Sequence, residues 1–278
     1  MKGLYIVATP IGNLEEISKR ALDVLGGVDY IACEDTRHSG SMLGKLGISK
    51  PLIRHESHNE AASLDRLTAL LREGAAVALI SDAGMPLISD PGARIVSACI
   101  AESIPYTVIS GPCACINALV LSGMDIRSFC MLGFLPEKNT DRDSYIDKFV
   151  SLQSTLVLYC PPHDLDRYLE YLFIKLGGRR IAIVREMTKL YEEVIHAKLG
   201  DKIEVTRKGE FVLVIEAAKP SNNEMLVLTI QEHVEILQKA GLSKNDAIKQ
   251  TARERGVHKS VIYKEVAGAG SDIIVAND

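Results

Sequence analysis

Short apolar runs alternate with segments of helical period along the first 110 residues. LYIVAT (4–9), YIACE (30–34), LIRHE (52–56), AVALIS (76–81) and YTVIS (106–110) are short, rich in β-branched residues and bounded by turn residues, which predicts buried strands. Between them, 15–25 places Ile17, Ala21, Leu22 and Leu25 on one face and stops at Gly26 and Gly27. The segment 59–73 does the same with Leu64, Leu67 and Leu71 before Gly74. Such alternation predicts a mostly parallel sheet covered by helices on both faces.

After about residue 118 the rhythm loosens. FCMLGFL (129–135), TLVLYC (155–160), RRIAIVRE (179–186), EEVIHAKL (192–199) and EFVLVIEA (211–218) include neighbours joined by short links, which predicts a second α/β domain with a mixed sheet. KPSNNE (219–224) is polar, carries a proline and reads as a linker; 225–266 reads as helices only. The expected class is α/β, with an N-terminal domain over 1–117, a second domain over 118–220 and a helical C-terminal extension over 221–278.

Composition adds limits. With 278 residues, 47% of them apolar, the chain buries a substantial core, and a net charge of −4 announces neither nucleic acid nor membrane by itself. No stretch approaches the roughly 20 apolar residues of a transmembrane helix, and MKGLYIVATPIG lacks a signal-peptide core, so a cytoplasmic protein is expected. Six cysteines without CxxC spacing are expected to be reduced, with no metal.

In an open α/β sheet, ligands sit beyond the carboxyl ends of the strands. Three loops there pair proline with glycine: ATPIGNL after the first strand, SDAGMPLISDPG after the fourth and SGPCACINAL after the fifth. Proline fixes dihedrals and glycine frees them, so such loops let backbone approach a ligand closely. Neither GxGxxG nor GxxxxGK[ST] is present, which argues against a polyphosphate ligand. Apolar walls from Ile11, Met85 and Leu87, with Asp82 at the edge, suit a flat ring bearing amine or hydroxyl groups, and S-adenosylmethionine fits that description.

The order of ATPIGNL, ACEDTRH, HNE, SDAGMPLISDPG, SGPCA, GFLP, REMTKLYEE and KGEFVLVIE, all between residues 4 and 217, resembles that of the 16S rRNA (cytidine-2'-O)-methyltransferase family of the tetrapyrrole methylase superfamily. The resemblance implies two α/β domains with S-adenosylmethionine in the cleft between them, and usually a homodimer. It also implies methylation of the ribose 2'-hydroxyl of a cytidine in the decoding region of 16S rRNA, within the 30S subunit. Carried over residue by residue, it assigns cofactor contacts to Pro10, Ile11, Gly12, Asp82, Gly84, Met85, Cys113, Ala114, Tyr159, Glu210 and Phe211. An Asp82 that only bonds amides of its own loop is the structural alternative. Three positions depart from the family pattern: Met85 replaces threonine, Cys113 replaces serine, and YCPPH (159–163) replaces YESPH, which puts in doubt any catalytic acid at Cys160.

Methyl transfer to a weakly acidic hydroxyl is helped by a proton acceptor. His58, Glu60, Asp35 and Glu34 compete for that role, although Ser57 and Glu60 also have the spacing of a capping box for the 59–73 helix. HESH (55–58) lacks the HExxH spacing of a zinc site. Arg37, Arg54 and Lys189 are candidate RNA phosphate contacts, with solvated surface charge as the alternative. In the tail, Lys239–Lys264 carries seven basic residues against Asp246 and Glu254, and its Ser243 cap, Gly256 turn and flanking helices have a helix-turn-helix layout. Lys249, Arg253 and Lys259 are its candidate RNA contacts; an ordinary docked helical pair is the alternative. Two other functions fit the same fold: a tetrapyrrole C-methyltransferase acting on a flat macrocycle, and a non-catalytic RNA-binding protein.

Overall fold

Five aliphatic strands, β1 (Gly3–Val7), β2 (Tyr30–Cys33), β3 (Leu52–Arg54), β4 (Ala76–Leu79) and β5 (Tyr106–Ile109), pair in parallel in the order β3-β2-β4-β1-β5. The computed structural model describes residues 1–56, 60–90, 92–219 and 228–268. Successive side chains of a strand leave on opposite faces, and here both faces are covered. Ile31, Cys33, Ala76 and Ala78 pack on one side with Val24 and Leu25 of α1 (Lys19–Gly27) and Met42 and Leu43 of α2 (Thr36–Lys45). Leu4, Ile6, Val77 and Leu79 pack on the other with Leu67 and Leu71 of α3 (Glu60–Arg72) and Ile95 and Cys99 of α4 (Ala93–Ala101).

The second sheet is mixed. Its strands β6 (Phe129–Gly133), β7 (Thr155–Cys160), β8 (Arg180–Arg185), β9 (Glu193–Lys198) and β10 (Phe211–Ile215) run in the order β6-β7-β10-β8-β9. Only β6 and β7 are parallel. One face packs on Ile146 of α6 (Asn139–Ile146) and on Leu165 and Leu172 of α7 (Leu165–Leu176). The other receives Cys115, Ala118 and Leu119 of α5 (Ala114–Ser122), together with Ile11 from the loop after β1. The expected break after residue 117 therefore falls inside α5. That helix leaves the first sheet and buries its side chains against the second, so both sheets lie within one compact unit, Met1–Ala218.

The remaining compact unit, Lys219–Asp278, holds three described helices, α8 (Ile230–Lys239), α9 (Lys244–Glu254) and α10 (Lys259–Gly268), around Val234, Leu237, Ile248 and Ile262. Thr229 and Glu232 form a capping box on α8, and Ser243 caps α9 by accepting from the Asp246 amide at 3.2 Å. His233 is fully buried: its Nε2 meets the Glu254 carboxylate at 2.7 Å and its Nδ1 accepts from Arg255 Nε at 3.1 Å. Arg255, one of the seven basic residues of Lys239–Lys264, is thus tied into the fold. Among the described residues no helix is long and apolar enough to cross a membrane.

Candidate functional site

The loops after β1 and β4 are one structure. Thr9 and Gly84 exchange backbone hydrogen bonds at 2.9 and 3.1 Å, and the Ser81 hydroxyl donates to the Gly84 carbonyl at 3.2 Å. Gly84 sits at φ +81°, a conformation that favours glycine, and a Cβ there would lie 3.0 Å from Ile11 Cγ2, so the two loops pack closely. Leu87 and Ser89 hold φ values of 71° and 69°, a region that costs an L-residue about 1–2 kcal/mol. The effect is to fold 81–90 back on itself. Leu87, expected in the ligand wall, is instead turned into the core beneath the first sheet, beside Gly92. Met85, Ile88, Ser89 and Asp90 are turned into a cavity.

That cavity, of about 340 Å³, lies between these loops and the second sheet. Of the residues assigned to the cofactor from the sequence, Ile11, Met85, Cys113, Ala114, Tyr159, Glu210 and Phe211 line it. Pro10, Gly12, Asp82 and Gly84 are not in its walls. Gly12 instead packs against the turn after β8, where a Cβ would meet Lys189 Cγ at 2.6 Å. Asp82 accepts from the Asp35 amide at 3.4 Å and so ties the loop after β4 to the one after β2. Sequence reasoning missed Ile88, Ser89 and Asp90, which stand in the stretch it singled out, as well as Phe134 of GFLP and Met187. The Phe134 and Tyr159 rings lie 5.4 Å apart, tilted by 53°.

The electrostatics of the cleft are acidic. Burial raises the Asp90 carboxyl from 3.8 to about 6, helped by the nearby charges of Glu34 and Asp82 and opposed by a hydrogen bond from Ser81. Glu34 is raised as well, by burial and then by Asp82. Burial pushes the Cys160 thiol up to about 12 and raises the Tyr159 phenol, so both stay protonated at neutral pH. A thiol at Cys160 supplies no acid–base group there. Glu210 at the rim is paired with Lys189 at 3.2 Å, and Lys189 also reaches Glu186 at 2.9 Å. An apolar cleft with two aromatic faces suits a ligand with a flat ring and a positive centre, which is the character of S-adenosylmethionine.

Among the proposed proton acceptors, Asp35 caps α2, accepting from the Arg37 amide at 2.8 Å, and that bond holds its carboxyl below the ordinary range. His58, Ser57 and the Glu60 side chain lie outside the described residues. His55 is buried with Nδ1 2.8 Å from Ser63 Oγ, and no cluster of three metal-ligating side chains occurs among the described residues. Of the candidate phosphate contacts, Arg37 is almost fully exposed beside Asp35, Arg54 pairs with Glu56 at 2.9 Å, and Lys189 is held between two carboxylates. Lys249, Arg253 and Lys259 are exposed on the helical unit.

The Asp90 shift has a consequence for stability. An acid whose value is raised in the folded state binds more protons there than in the unfolded chain. Its contribution is therefore lost as pH climbs from about 4 through about 6. Asp90→Asn removes this loss and is expected to stabilise the protein at pH 7.5 by on the order of 1 kcal/mol, after discounting for partial solvent screening. Urea titrations of parent and variant at pH 4.5 and 7.5 measure it; an equal gap at both pH values would refute it.

A family model described as Tetrapyrrole (Corrin/Porphyrin) Methylases matches residues 3–203. The ribosomal RNA small subunit methyltransferase I of Halalkalibacterium halodurans is 40% identical over 268 residues, 94% of this chain and 93% of its own. The protein of the same name from Coprothermobacter proteolyticus is 41% identical over 212 residues, 76% of this chain but 96% of its own. Among solved structures, uroporphyrin-III-C-methyltransferase from Thermus thermophilus covers 77% of this chain and 93% of its own at 24% identity, with a TM-score of 0.54, a likeness of fold.

Proposed function

We propose that this chain, which belongs to the tetrapyrrole methylase family and within it to the ribosomal RNA small subunit methyltransferase I proteins, methylates the ribose 2'-hydroxyl of a cytidine in the decoding region of 16S rRNA, with the 30S subunit as substrate. The observation that carries this reading is an identity of 40% sustained over 94% of the chain. The likeness to the uroporphyrin enzyme reaches the fold alone, and the locally basic stretch Lys239–Lys264 favours a polyanionic substrate over a macrocycle.

S-adenosylmethionine, when bound, supplies a methyl group on a sulfonium centre. The chain's own part is to hold, orient and dry the reacting groups. Ile11, Met85 and Val212 exclude water from the cleft, the joined loops at Thr9 and Gly84 keep its wall rigid, and Phe134 and Tyr159 offer aromatic faces. Such positioning is worth several kcal/mol of barrier where the acceptor is a neutral hydroxyl. Arg37 and Arg54, near the carboxyl ends of β2 and β3, are proposed to contact RNA phosphates, together with Lys249, Arg253 and Lys259 of the helical unit.

A cytoplasmic homodimer completes the reading. Tyr106 and Val108 on edge strand β5, Val120 on α5 and Phe129 on edge strand β6 are exposed apolar side chains in numbers that favour a covered surface. Sedimentation at micromolar concentration is expected to give twice the chain mass.

The reaction is tested with unmethylated 30S subunits and S-adenosylmethionine carrying a labelled methyl group. Label is expected in an alkali-resistant dinucleotide, because a 2'-O-methyl group removes the hydroxyl that attacks its own phosphate, and the modified nucleoside should be a cytidine. Label on a base, or transfer to a porphyrinogen in place of RNA, would overturn the reading.

A further inference from the structure

We infer that Asp90 is the catalytic residue that accepts the proton of the attacking hydroxyl, an assignment that rests on the methyltransferase reading above. Among the described residues, the carboxylates lining the cavity are Asp90 and Glu210. Glu210 is held by Lys189, Asp35 caps a helix, and Asp82 bonds the Asp35 amide, so each of these three is occupied by another task.

The backbone around Asp90 has the marks of a group aimed on purpose. Ser89, its neighbour, keeps a left-handed φ of 69° although it is not glycine, as does Leu87 two residues earlier. Gly92 at φ +127° closes the turn against Leu79. Relaxing either serine or leucine to an ordinary conformation would redirect the carboxylate away from the cleft. Strain of this kind persists where the surrounding structure holds it, and it gathers at working sites.

The surroundings also suit a base. Facing Asp90 are Glu34 from the end of β2, Asp82 from its own loop and the phenol of Tyr159 from β7, with Ser81 as a hydrogen-bond donor. Burial first, and then these acidic neighbours, raise its carboxyl to about 6, well above that of an ordinary aspartate, against the Ser81 hydrogen bond. The carboxylate is still ionised at neutral pH, yet more basic than a solvated one. A proton acceptor gains on both counts.

In the proposed step a lone pair of the 2'-oxygen forms the new oxygen–carbon bond while the carbon–sulfur bond breaks with its electrons passing to sulfur. The sulfonium becomes a neutral thioether. The hydroxyl proton goes to an Asp90 oxygen and from there to water, which restores the carboxylate.

The test compares the parent with Asp90→Asn and His58→Ala in single-turnover methylation of 30S subunits between pH 5 and 9. Asp90→Asn should lower the rate at least about 100-fold, while S-adenosylmethionine affinity by calorimetry stays within about threefold. The parent rate should rise with pH through about 6 and then level, since the base works deprotonated. A readout without substrate or cofactor accompanies it: in protein carrying 13C-labelled aspartate carboxyls, one resonance should titrate near pH 6 and vanish in Asp90→Asn. Should that variant not fold, Asp90→Ser takes its place. A variant rate within threefold of the parent overturns the assignment, as does a cofactor affinity that collapses, or a full loss in His58→Ala with Asp90→Asn unaffected. A parent that transfers no methyl group to RNA overturns the functional reading first, and the assignment falls with it.

Discussion

Gly84→Val is expected to weaken S-adenosylmethionine binding by 10- to 100-fold or more in a protein that still folds. Gly84 adopts φ +81°, which a β-branched residue tolerates poorly, and its amide and carbonyl are both committed to Thr9. A Cβ alone would press on Ile11 Cγ2 at 3.0 Å and approach the Pro112 carbonyl at 3.5 Å; valine adds two methyl groups to that contact. Ile11 lines the cleft and also packs among Val184 and Val212 of the second sheet, so it has little room to retreat. The displaced wall closes the space that the ligand needs, at about 1–3 kcal/mol for overpacking of this kind. Gly84→Ala should fall between the two, because the methyl group meets only the side-chain end of Ile11. Calorimetry with the cofactor decides: unchanged affinity in folded Gly84→Val would show that this loop junction does not shape the binding site.

This residue also illustrates what the sequence reveals and what it conceals. That the loops after β1 and β4 form the site was legible, because alternating strands and helices imply an open parallel sheet and such sheets bind at their carboxyl ends. Among the described residues all ten strands lie where short β-branched runs placed them, and Ser243 caps the helix it was expected to cap. The direction of individual side chains was not legible. Leucine and serine carry no preference for positive φ, so nothing in SDAGMPLISDPG foretold that Leu87 would turn into the core and Asp90 toward the cleft. The pairing of Lys189 with Glu210, and the nearness of Glu34 to Asp90, arise from segments distant along the chain. Likewise α5 reads as an end to the first domain, yet Cys115, Ala118 and Leu119 seat it on the second sheet, while Ile116, Val120 and Leu121 stay exposed.

Charge reversal at Lys249, Arg253 and Lys259 is expected to weaken binding to 30S subunits by about 10- to 100-fold at low salt while cofactor binding stays at its parent value. All three are exposed, and the one ion pair among them, Lys249 with Asp246 at 3.2 Å, is between two well-solvated side chains and worth little. Their cationic heads are thus available to phosphates, whereas Arg255 is committed to His233 and to the backbone carbonyls of Leu228 and Thr229 and is left intact in this experiment. Each phosphate contact adds roughly 0.7–0.9 to the slope of log affinity against log salt, so losing three should flatten that slope by about 2. The methyl-transfer chemistry should survive, because none of the three residues lines the cleft. The core of the unit, Val234, Ile248 and Ile262, contains none of the altered residues, so a loss of binding would not reflect unfolding. If the charge-reversed protein binds subunits as tightly as the parent across a salt series from 50 to 300 mM, on the order over which phosphate contacts dissociate, the helical unit does not hold RNA. The contacts would then fall to Arg37 and Arg54, and reversal of those two charges should weaken binding and flatten its salt dependence.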